Sequence, residues 1–497
     1  MRRICQGRGA CPPDRRCPSS RRATQRVSAD ITFRKVTNRY CPRLPCIAKQ
    51  KRPHQPTSRR RKAGCAMSQI RPLIPLLLTA GILIGGNGLQ GTFISLRALE
   101  EGFSTSLIGL VGAGYNVGFA IGCVYVTRIL RSIGHIRTFS AMAAIASAAA
   151  IAMVLVIEPA FWFLMRLVAG ICFAGLFATV ESWLNASVTN ANRARTLSIY
   201  RLVDLGSVTA AQYLIPGVGI GGFELFAIIS MALTLSLVPI SFADRSSPIA
   251  PEAIRFDVKA LWNISPLATI GCIVVGLTNA AFRSLGPIYA QEIGLSVTAI
   301  ATFMSAGIIG GVVLQYPLGH YSDQIDRRLI ILIATFGSLV AGLFLAFGAG
   351  SDEWLNFAGI FAFGAFAMPL YSLCSAHAND HAAEGQHALV SAGMLFFWSL
   401  GAIIGPLFAS FLLDLFGPRA LFIYTAAILF LFMLYTLQRM TARKPIPTDE
   451  RSMPFRNLLR TSSFFNKLAG GSQPQRNGPE LRQDARSDRI AEREDQV

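Results

Sequence analysis

The chain has 497 residues, of which 52% are hydrophobic and only 15% charged, against about 25% charged residues in an average soluble domain. A soluble protein of this length cannot hide that much apolar surface, which excludes soluble enzymes and soluble binding modules. The formal net charge is +20, but residues 1–66 hold 19 Lys and Arg against 2 Asp and Glu, so they carry +17 and the rest of the chain +3. A nucleic-acid role is therefore no property of the apolar body.

Residues 1–66 show neither a helical nor a strand period. They hold six of the ten cysteines: Cys5, Cys11, Cys17, Cys41, Cys46 and Cys65. The absence of a Cys-x2-Cys pair argues against a zinc site. Ser58-Arg59-Arg60-Arg61 and Gly64-Cys65 lack the intervening apolar stretch that an export signal needs. An Arg- and Ser-rich, acid-poor transit peptide fits in part. The reading adopted is that translation starts at Met67 and that residues 1–66 are a basic, disordered extension encoded upstream. No metal or cofactor is called for, because no phosphate-binding loop or metal spacing occurs and Gly85-Gly86-Asn87-Gly88 lies inside an apolar run.

From residue 72 onward the chain is a series of apolar segments long enough to cross a bilayer, which needs about 20 residues each. There are twelve, at 72–96, 106–130, 138–157, 159–184, 199–218, 220–242, 266–290, 296–319, 328–349, 354–375, 388–413 and 417–438. The expected fold is an all-α integral membrane protein of two six-helix bundles, residues 67–242 and 266–440. The Pro-containing linker 243–265 joins them, and a polar tail, 441–497, follows. Phe455–Leu468 in that tail is amphipathic enough to lie on a membrane surface, although plain disorder suits its composition better.

The two sets are related by a repeat. Asn87, Glu101, Gly102, Phe103 and Ser104 are matched by Asn279, Ile293, Gly294, Leu295 and Ser296, each 192 residues later. Membrane-length segments in two similar halves are the signature of a secondary transporter, with the solute between the halves.

Loop charges set the orientation. Arg71; Arg128, Arg131 and Arg137; Arg193, Arg195 and Arg201; Arg245, Arg255 and Lys259; Arg327 and Arg328; and Arg439, Arg443 and Lys444 fall on one side. The alternate loops carry Glu100, Glu101, Glu158, Glu292, Asp352 and Glu353 instead. The positive-inside rule then places both termini in the cytoplasm. The loop Asp380–Gln386 has neither Lys nor Arg and gives no support.

The strongest local motif runs from Gly319 through Asp323, Asp326, Arg327 and Arg328, at the turn between the eighth and ninth segments. A glycine there permits close helix approach, and Asp323 is placed to cap the next helix or to pair with a cation. Such a latch would hold one conformation of a moving protein. Gly-x-x-x-Asp-x-x-Asp-Arg-Arg resembles the loop signature of the major facilitator superfamily, and the twelve segments in two sixes are similar to the same family. Glu181-Ser182-Trp183-Leu184-Asn185 and Ala376-His377-Ala378-Asn379-Asp380 resemble its bacterial YcaD-type subgroup. The resemblance covers residues 67–440. The chain departs from the family pattern at Gln324, where the family has Arg. The first-half copy has Thr127 and Arg131 in place of Gly319 and Asp323, and only Gly134, His135 and Arg137 remain recognisable there.

Polar groups inside the segments are the candidates for solute and coupling sites, since intramembrane charge is costly and faces a cavity or a partner. Arg166, with Gly170 behind it, resembles the family's fourth-segment motif, which implies a link to the central cavity and to protons; a fixed ion pair between helices is the alternative. Glu181 and Asp204 are either proton carriers or partners of Arg195 and Arg201. Arg283, near Asn279, favours an anionic or carboxylate-bearing solute if it faces the cavity, or pairs with a structural carboxylate if it does not. Asn87 and Asn279 sit at matching depth. Tyr371, Gln212 and Trp398 are cavity candidates by position. His377 is read as a solvated helix end, and Gly401-x-x-x-Gly405-Pro406 as a site of close packing and bending.

The resemblance implies a multi-pass protein of the bacterial inner membrane, a monomer that moves a small solute by alternating access, coupled to protons, with export favoured over uptake. A non-transporting receptor or assembly partner on the same fold is the alternative. No paired catalytic carboxylates or nucleophile–base arrangement points to an enzyme. Intact-mass measurement of the natively expressed protein should give a chain beginning at Met67; a mass that includes residues 1–66 overturns that assignment.

Overall fold

The computed structural model describes residues 73–186, 193–241, 257–383 and 386–442. The basic extension, the linker up to residue 256 and the tail from residue 443, with Phe455–Leu468, lie outside the described residues, as do Arg71 and the side chains of Arg193 and Arg195. Every regular element among the described residues is helical. The first half contains α1 Ile74–Glu100, α2 Thr105–Ile133, α3 His135–Leu155, α4 Pro159–Ala186, α5 Arg193–Gln212, α6 Leu214–Val218, α7 Glu224–Leu235 and α8 Leu237–Ser241. The second contains α9 Val258–Ile264, α10 Pro266–Glu292, α11 Val297–Val313, α12 Gln315–Gln324, α13 Arg327–Phe347, α14 Glu353–Ala367, α15 Leu370–Asp380, α16 His387–Phe416 and α17 Ala420–Ala442.

Eleven helical stretches among the described residues are long and apolar enough to span a membrane. The remaining expected crossing, 199–218, is formed by α5 and α6. It is helical, but Arg193, Arg195, Arg201 and Asp204 make it too polar to qualify by composition.

Helix ends follow from local chemistry. Proline clashes with the carbonyl four residues before it and supplies no N–H. Accordingly α5 ends at Gln212, four residues before Pro216; α7 at Leu235, four before Pro239; and α11 at Val313, four before Pro317. At the second of these breaks the Thr79 hydroxyl donates to the Ser236 carbonyl at 3.1 Å, so a neighbouring helix satisfies backbone that water cannot reach.

One expectation needs correction: Gly319–Gln324, read as part of the turn between the eighth and ninth segments, forms the last turns of α12. Within the linker 243–265, Asp257 accepts a hydrogen bond from the Ala260 N–H at 3.0 Å and starts the short helix α9.

The repeat is structural. The helices α1 and α10 both have 27 residues, and α3 and α13 both have 21, with starts 192 residues apart in each pair. The turns match as well. Gly102 and Gly294 have φ of 80° and 89°, a left-handed conformation that favours glycine. Ser104 and Ser296 then cap α2 and α11 by accepting from the N–H groups of Leu107 and Ala299. Packing repeats in turn: α2 on α4, α3 on α4, α1 on α5 and α3 on α7 in one bundle; α11 on α14, α13 on α14, α10 on α16 and α13 on α17 in the other. The bundles meet through α2 with α16, α1 with α10 and α5 with α11.

Small residues allow these approaches, since lipid supplies no hydrophobic force between helices and packing must hold them. A methyl group at Gly118 would lie 1.9 Å from the Leu167 carbonyl oxygen, and one at Gly310, its repeat counterpart, 2.1 Å from that of Phe361. Gly401 and Gly405 bring α16 against α10 in the same way, at 2.1 Å and 2.3 Å from carbonyl oxygens of Ile273 and Leu277. Substituting Gly118→Ala or Gly310→Ala should cost about 1–3 kcal/mol through overpacking. It should lower the unfolding midpoint in detergent, while Gly206→Ala, which meets nothing within 4 Å, should leave the midpoint unchanged.

Candidate functional site

A cavity of about 230 Å3 lies where the two bundles meet. A water-sized site needs only about 10–15 Å3 by this kind of measure, so the space suits a solute rather than a single water. Both bundles line it: α1, α2, α4 and α5 on one side, α10, α11, α12, α15 and α16 on the other.

Seven of the sequence candidates line this cavity together: Asn87, Arg166, Asp204, Asn279, Arg283, Tyr371 and Trp398. Asn87 and Asn279 come from equivalent positions of α1 and α10, so the pseudo-symmetry places one amide on each wall. The arginines break that symmetry. Arg283 has Gly91 as its repeat counterpart, and Arg166 comes from α4.

Arg166 is held firmly. Its Nη1 donates to the Gln90 side-chain oxygen at 3.0 Å, and its guanidinium lies 4.5 Å from the centroid of the Tyr115 ring. The Tyr115 hydroxyl donates to Asn87 Oδ1 at 2.9 Å. Gln90, Arg166, Tyr115 and Asn87 thus form one chain of contacts across α1, α2 and α4, and the cation keeps a partner on its edge and on its face. The fixed carboxylate partner considered from sequence is replaced by an amide and an aromatic ring.

Arg201 and Asp204 form an ion pair at 3.0 Å, and Arg201 Nη2 also donates to Gln315 Oε1 at 2.9 Å. The second bond crosses from α5 to α12 and so joins the bundles. A second crossing lies elsewhere: the backbone N–H and the hydroxyl of Ser106, at the start of α2, both donate to Asp414 Oδ2 near the end of α16. Gln315 corresponds through the repeat to residue 123 of α2, which is 17 residues beyond Ser106, or roughly 25 Å at the rise of an α-helix. The two crossings therefore lie towards opposite ends of the assembly, with the cavity between them.

Arg283 is partly exposed and lines the cavity. It makes no hydrogen bond or ion pair with any described residue. No carboxylate pairs with it; Asp204, on the same lining, acts on it only from beyond ion-pair distance.

The other candidates sit elsewhere. Gln212 does not line the cavity; it is buried and donates through Nε2 to the Gly88 carbonyl at 3.2 Å, which ties α5 to α1. Glu181 is fully buried on α4, one turn beyond the lining residue Phe177, and does not itself line the cavity. His377 is buried rather than solvated, with its ring 4.5 Å from that of His381. Several lining residues carried no motif and were missed: Tyr115, Asn116, Tyr200 and Gln315. Gln90, which holds Arg166, was missed too. An amide inside an apolar run was the signal available for Gln90, Asn116 and Gln315.

The latch motif is assembled as a network. Arg327 pairs with Asp323 at 3.1 Å and with Asp380 at 2.5 Å, and its Nη1 donates to the Ser322 hydroxyl at 3.3 Å. Arg327 is 2% exposed and the Asp380 side chain 4%, so this ion pair is enclosed and ties α12, α13 and α15 together. Asp326, rather than Asp323, caps α13: it accepts from the Arg328 N–H at 3.0 Å and pairs with the Arg328 guanidinium at 2.8 Å. Gly319 is buried on α12. In the first bundle His135 stands at the repeat position of Arg327, and its Nε2 lies 2.9 Å from the Ser182 hydroxyl. Gly134 separates α2 from α3, while Arg131 and Arg137 are exposed.

With this geometry in hand, comparison with known proteins is direct. The chain matches the profile of the Major Facilitator Superfamily over residues 76–352 and again over 268–472. It is 25% identical over 373 residues to a protein of Escherichia coli (strain SE11) described as an uncharacterized MFS-type transporter, YcaD, covering 74% of this chain and 96% of that one. A Shigella flexneri YcaD matches to the same extent. Among solved structures the fold is similar to the nucleoside transporter NupG, with a TM-score of 0.66, 11% identity and coverage of 74% of this chain and 98% of that one. It is also similar to a bacterial homologue of the human lysosomal transporter Spinster, in an inward-facing and occupied conformation, with a TM-score of 0.60, 13% identity and coverage of 80% and 100%. At these identities the likeness to solved structures speaks for the fold alone. The profile spans most of the chain, and its two matches reflect the internal repeat: this protein is a multi-pass membrane protein of the Major Facilitator Superfamily.

Proposed function

We propose that the protein is a secondary active transporter that carries a small solute through the inner membrane by alternating access, with coupling to protons and net export. The observation that carries this reading is the cavity at the junction of the bundles, lined from both and flanked by two separate crossings, Ser106–Asp414 and Arg201–Gln315. A rocking motion of residues 67–242 against 266–440 needs contacts at each end that can be made and broken in turn. Both crossings are local polar contacts between bundles, Ser106 donating to Asp414 through its N–H and its hydroxyl and Arg201 donating to Gln315, which suits that role. Loop charge places Arg201 and Gln315 on the cytoplasmic side, with both termini, and Asp414 on the outer side. The monomer is the functional unit in this reading, because one chain supplies the whole cavity.

For coupling, Asp204 is the better-placed acid. It lines the cavity and pairs with Arg201, which in turn reaches Gln315 across the bundles. Protonation of Asp204 removes its hold on Arg201 and so connects proton occupancy to the cytoplasmic crossing. Glu181 is buried one turn beyond the lining residue Phe177 and is not itself part of the lining.

Two tests follow from the crossings. Both crossings are closed together in this structure, as in an occluded state, so alternation is tested by what locking one does to the other. In a four-cysteine chain carrying Ser106→Cys/Asp414→Cys and Arg201→Cys/Gln315→Cys, a disulfide at either pair should free the other to open and lower its rate of closure. Rates of closure that do not depend on each other argue for a static receptor instead. The yield of the first pair should change with pH, and Asp204→Asn should flatten that dependence; an unchanged profile removes Asp204 from the coupling role.

The latch gives another expectation. Removing Arg327 takes the cation from Asp323 and from the enclosed Asp380, and truncating one partner of an enclosed pair costs about 3–5 kcal/mol. Arg327→Ala should therefore lower the unfolding midpoint markedly more than Arg137→Ala, measured by thermal unfolding in detergent.

A further inference from the structure

The charge of the cavity wall and the state of each arginine on it identify the class of solute, given the transporter reading above. The lining holds three arginines, Arg166, Arg201 and Arg283, against one carboxylate, Asp204. The wall thus has a surplus of two positive charges, in a part of the protein where uncompensated charge is costly.

The three arginines differ in what they already hold. Arg201 is neutralised by Asp204. Arg166 is engaged on its edge by Gln90 and on its face by Tyr115. Arg283 alone presents a guanidinium to the cavity with no hydrogen bond or ion pair to any described residue. A guanidinium is a planar fork of donors that matches a carboxylate through two parallel hydrogen bonds, and such charge-assisted pairs are about twice as strong as neutral ones. Asn279 lies one turn earlier on α10 and lines the same cavity, so an amide stands beside the fork. Arg166, bonded through Nη1 and covered on one face by Tyr115, adds favourable field from the same wall. A cationic solute meets the opposite situation: two uncompensated positive charges and no carboxylate that is not already paired.

The rest of the wall is apolar and aromatic. Phe119, Phe177, Met368, Tyr371 and Trp398 line it, a surface that an inorganic anion alone leaves unused. We infer that the solute is a small amphiphilic organic anion, with a carboxylate or equivalent oxyanion seated on Arg283 and Asn279 and its apolar body against these side chains.

The test uses full-length protein in nanodiscs and three probes that share a phenyl body and differ in the head: 3-phenylpropionate, 3-phenylpropionamide and 2-phenylethylammonium. Binding is read by tryptophan fluorescence, since Trp398 lines the cavity, and by the rise in unfolding midpoint that binding produces through mass action. The carboxylate should bind at least about tenfold more tightly than the amide or the ammonium, as loss of a charge-assisted bond predicts. Arg283→Gln should remove that preference, Arg283→Lys should keep part of it, and Arg283→Glu should shift it toward the ammonium, so a folding defect in one variant does not decide the matter. Equal binding of the three probes, binding of none of them, or a carboxylate preference that survives in both Arg283→Gln and Arg283→Glu overturns the assignment. The cross-linking experiment separates the two readings. If the bundle crossings alternate but no carboxylate preference exists, the anion class falls and the transporter reading stands. If they do not alternate, the transporter reading falls first.

Discussion

A bilayer interior offers no water to unsatisfied polar groups, and nearly every feature of this protein answers to that constraint. Backbone groups are satisfied within helices, and helices break where proline forbids continuation, at Gln212, Leu235 and Val313. Where a break leaves a carbonyl in need, a hydroxyl on the next helix is at hand, as Thr79 is for Ser236. Association between helices rests on close fit, and glycines at Gly118, Gly310, Gly401 and Gly405 bring backbone against backbone.

The same constraint sorts the charges. Arg327 is enclosed and satisfied twice over, by Asp323 and Asp380, so it locks three helices of one bundle together. Arg166 is held by an amide and a ring, with its Nε buried and unbonded, and that hold fixes the wall of the cavity. Arg201 is satisfied by Asp204 and extends to Gln315, which makes it part of a contact between bundles. The cavity is the one place where a cation without a protein partner is tolerable, because a solute and its accompanying water can reach it there. Arg283 occupies that place.

The pseudo-symmetry explains why a binding space exists at the junction. Two copies of one helical unit face each other, and equivalent asparagines, Asn87 and Asn279, end on opposite walls. Divergence between the copies then sets what each bundle does. The second bundle keeps an enclosed ion-pair latch at Arg327, whereas the first has His135 bonded to Ser182 at the matching position. The two bundles are therefore held differently at that end: truncating one partner of an enclosed ion pair costs about 3–5 kcal/mol, against about 1 kcal/mol for a typical neutral hydrogen bond.

Length and spacing were enough to read the architecture from sequence. Segments of about 20 apolar residues can only be membrane helices, and an offset of 192 residues carried from sequence into helix lengths, turn glycines and capping serines. Charged residues inside such segments also announced themselves, so Arg166, Asp204, Arg283 and the latch around Arg327 were visible in advance. The tertiary structure decided which faces meet. In a membrane helix both the lipid-facing and protein-facing sides are apolar, so periodicity does not say which side borders a cavity. That is why Gln212 was taken for a lining residue when it packs against Gly88, and why Tyr115, Gln90 and Gln315 were passed over. Whether a buried cation has a partner is settled only by distance between helices far apart in the chain, and that is the fact that sets Arg283 apart from Arg166 and Arg201.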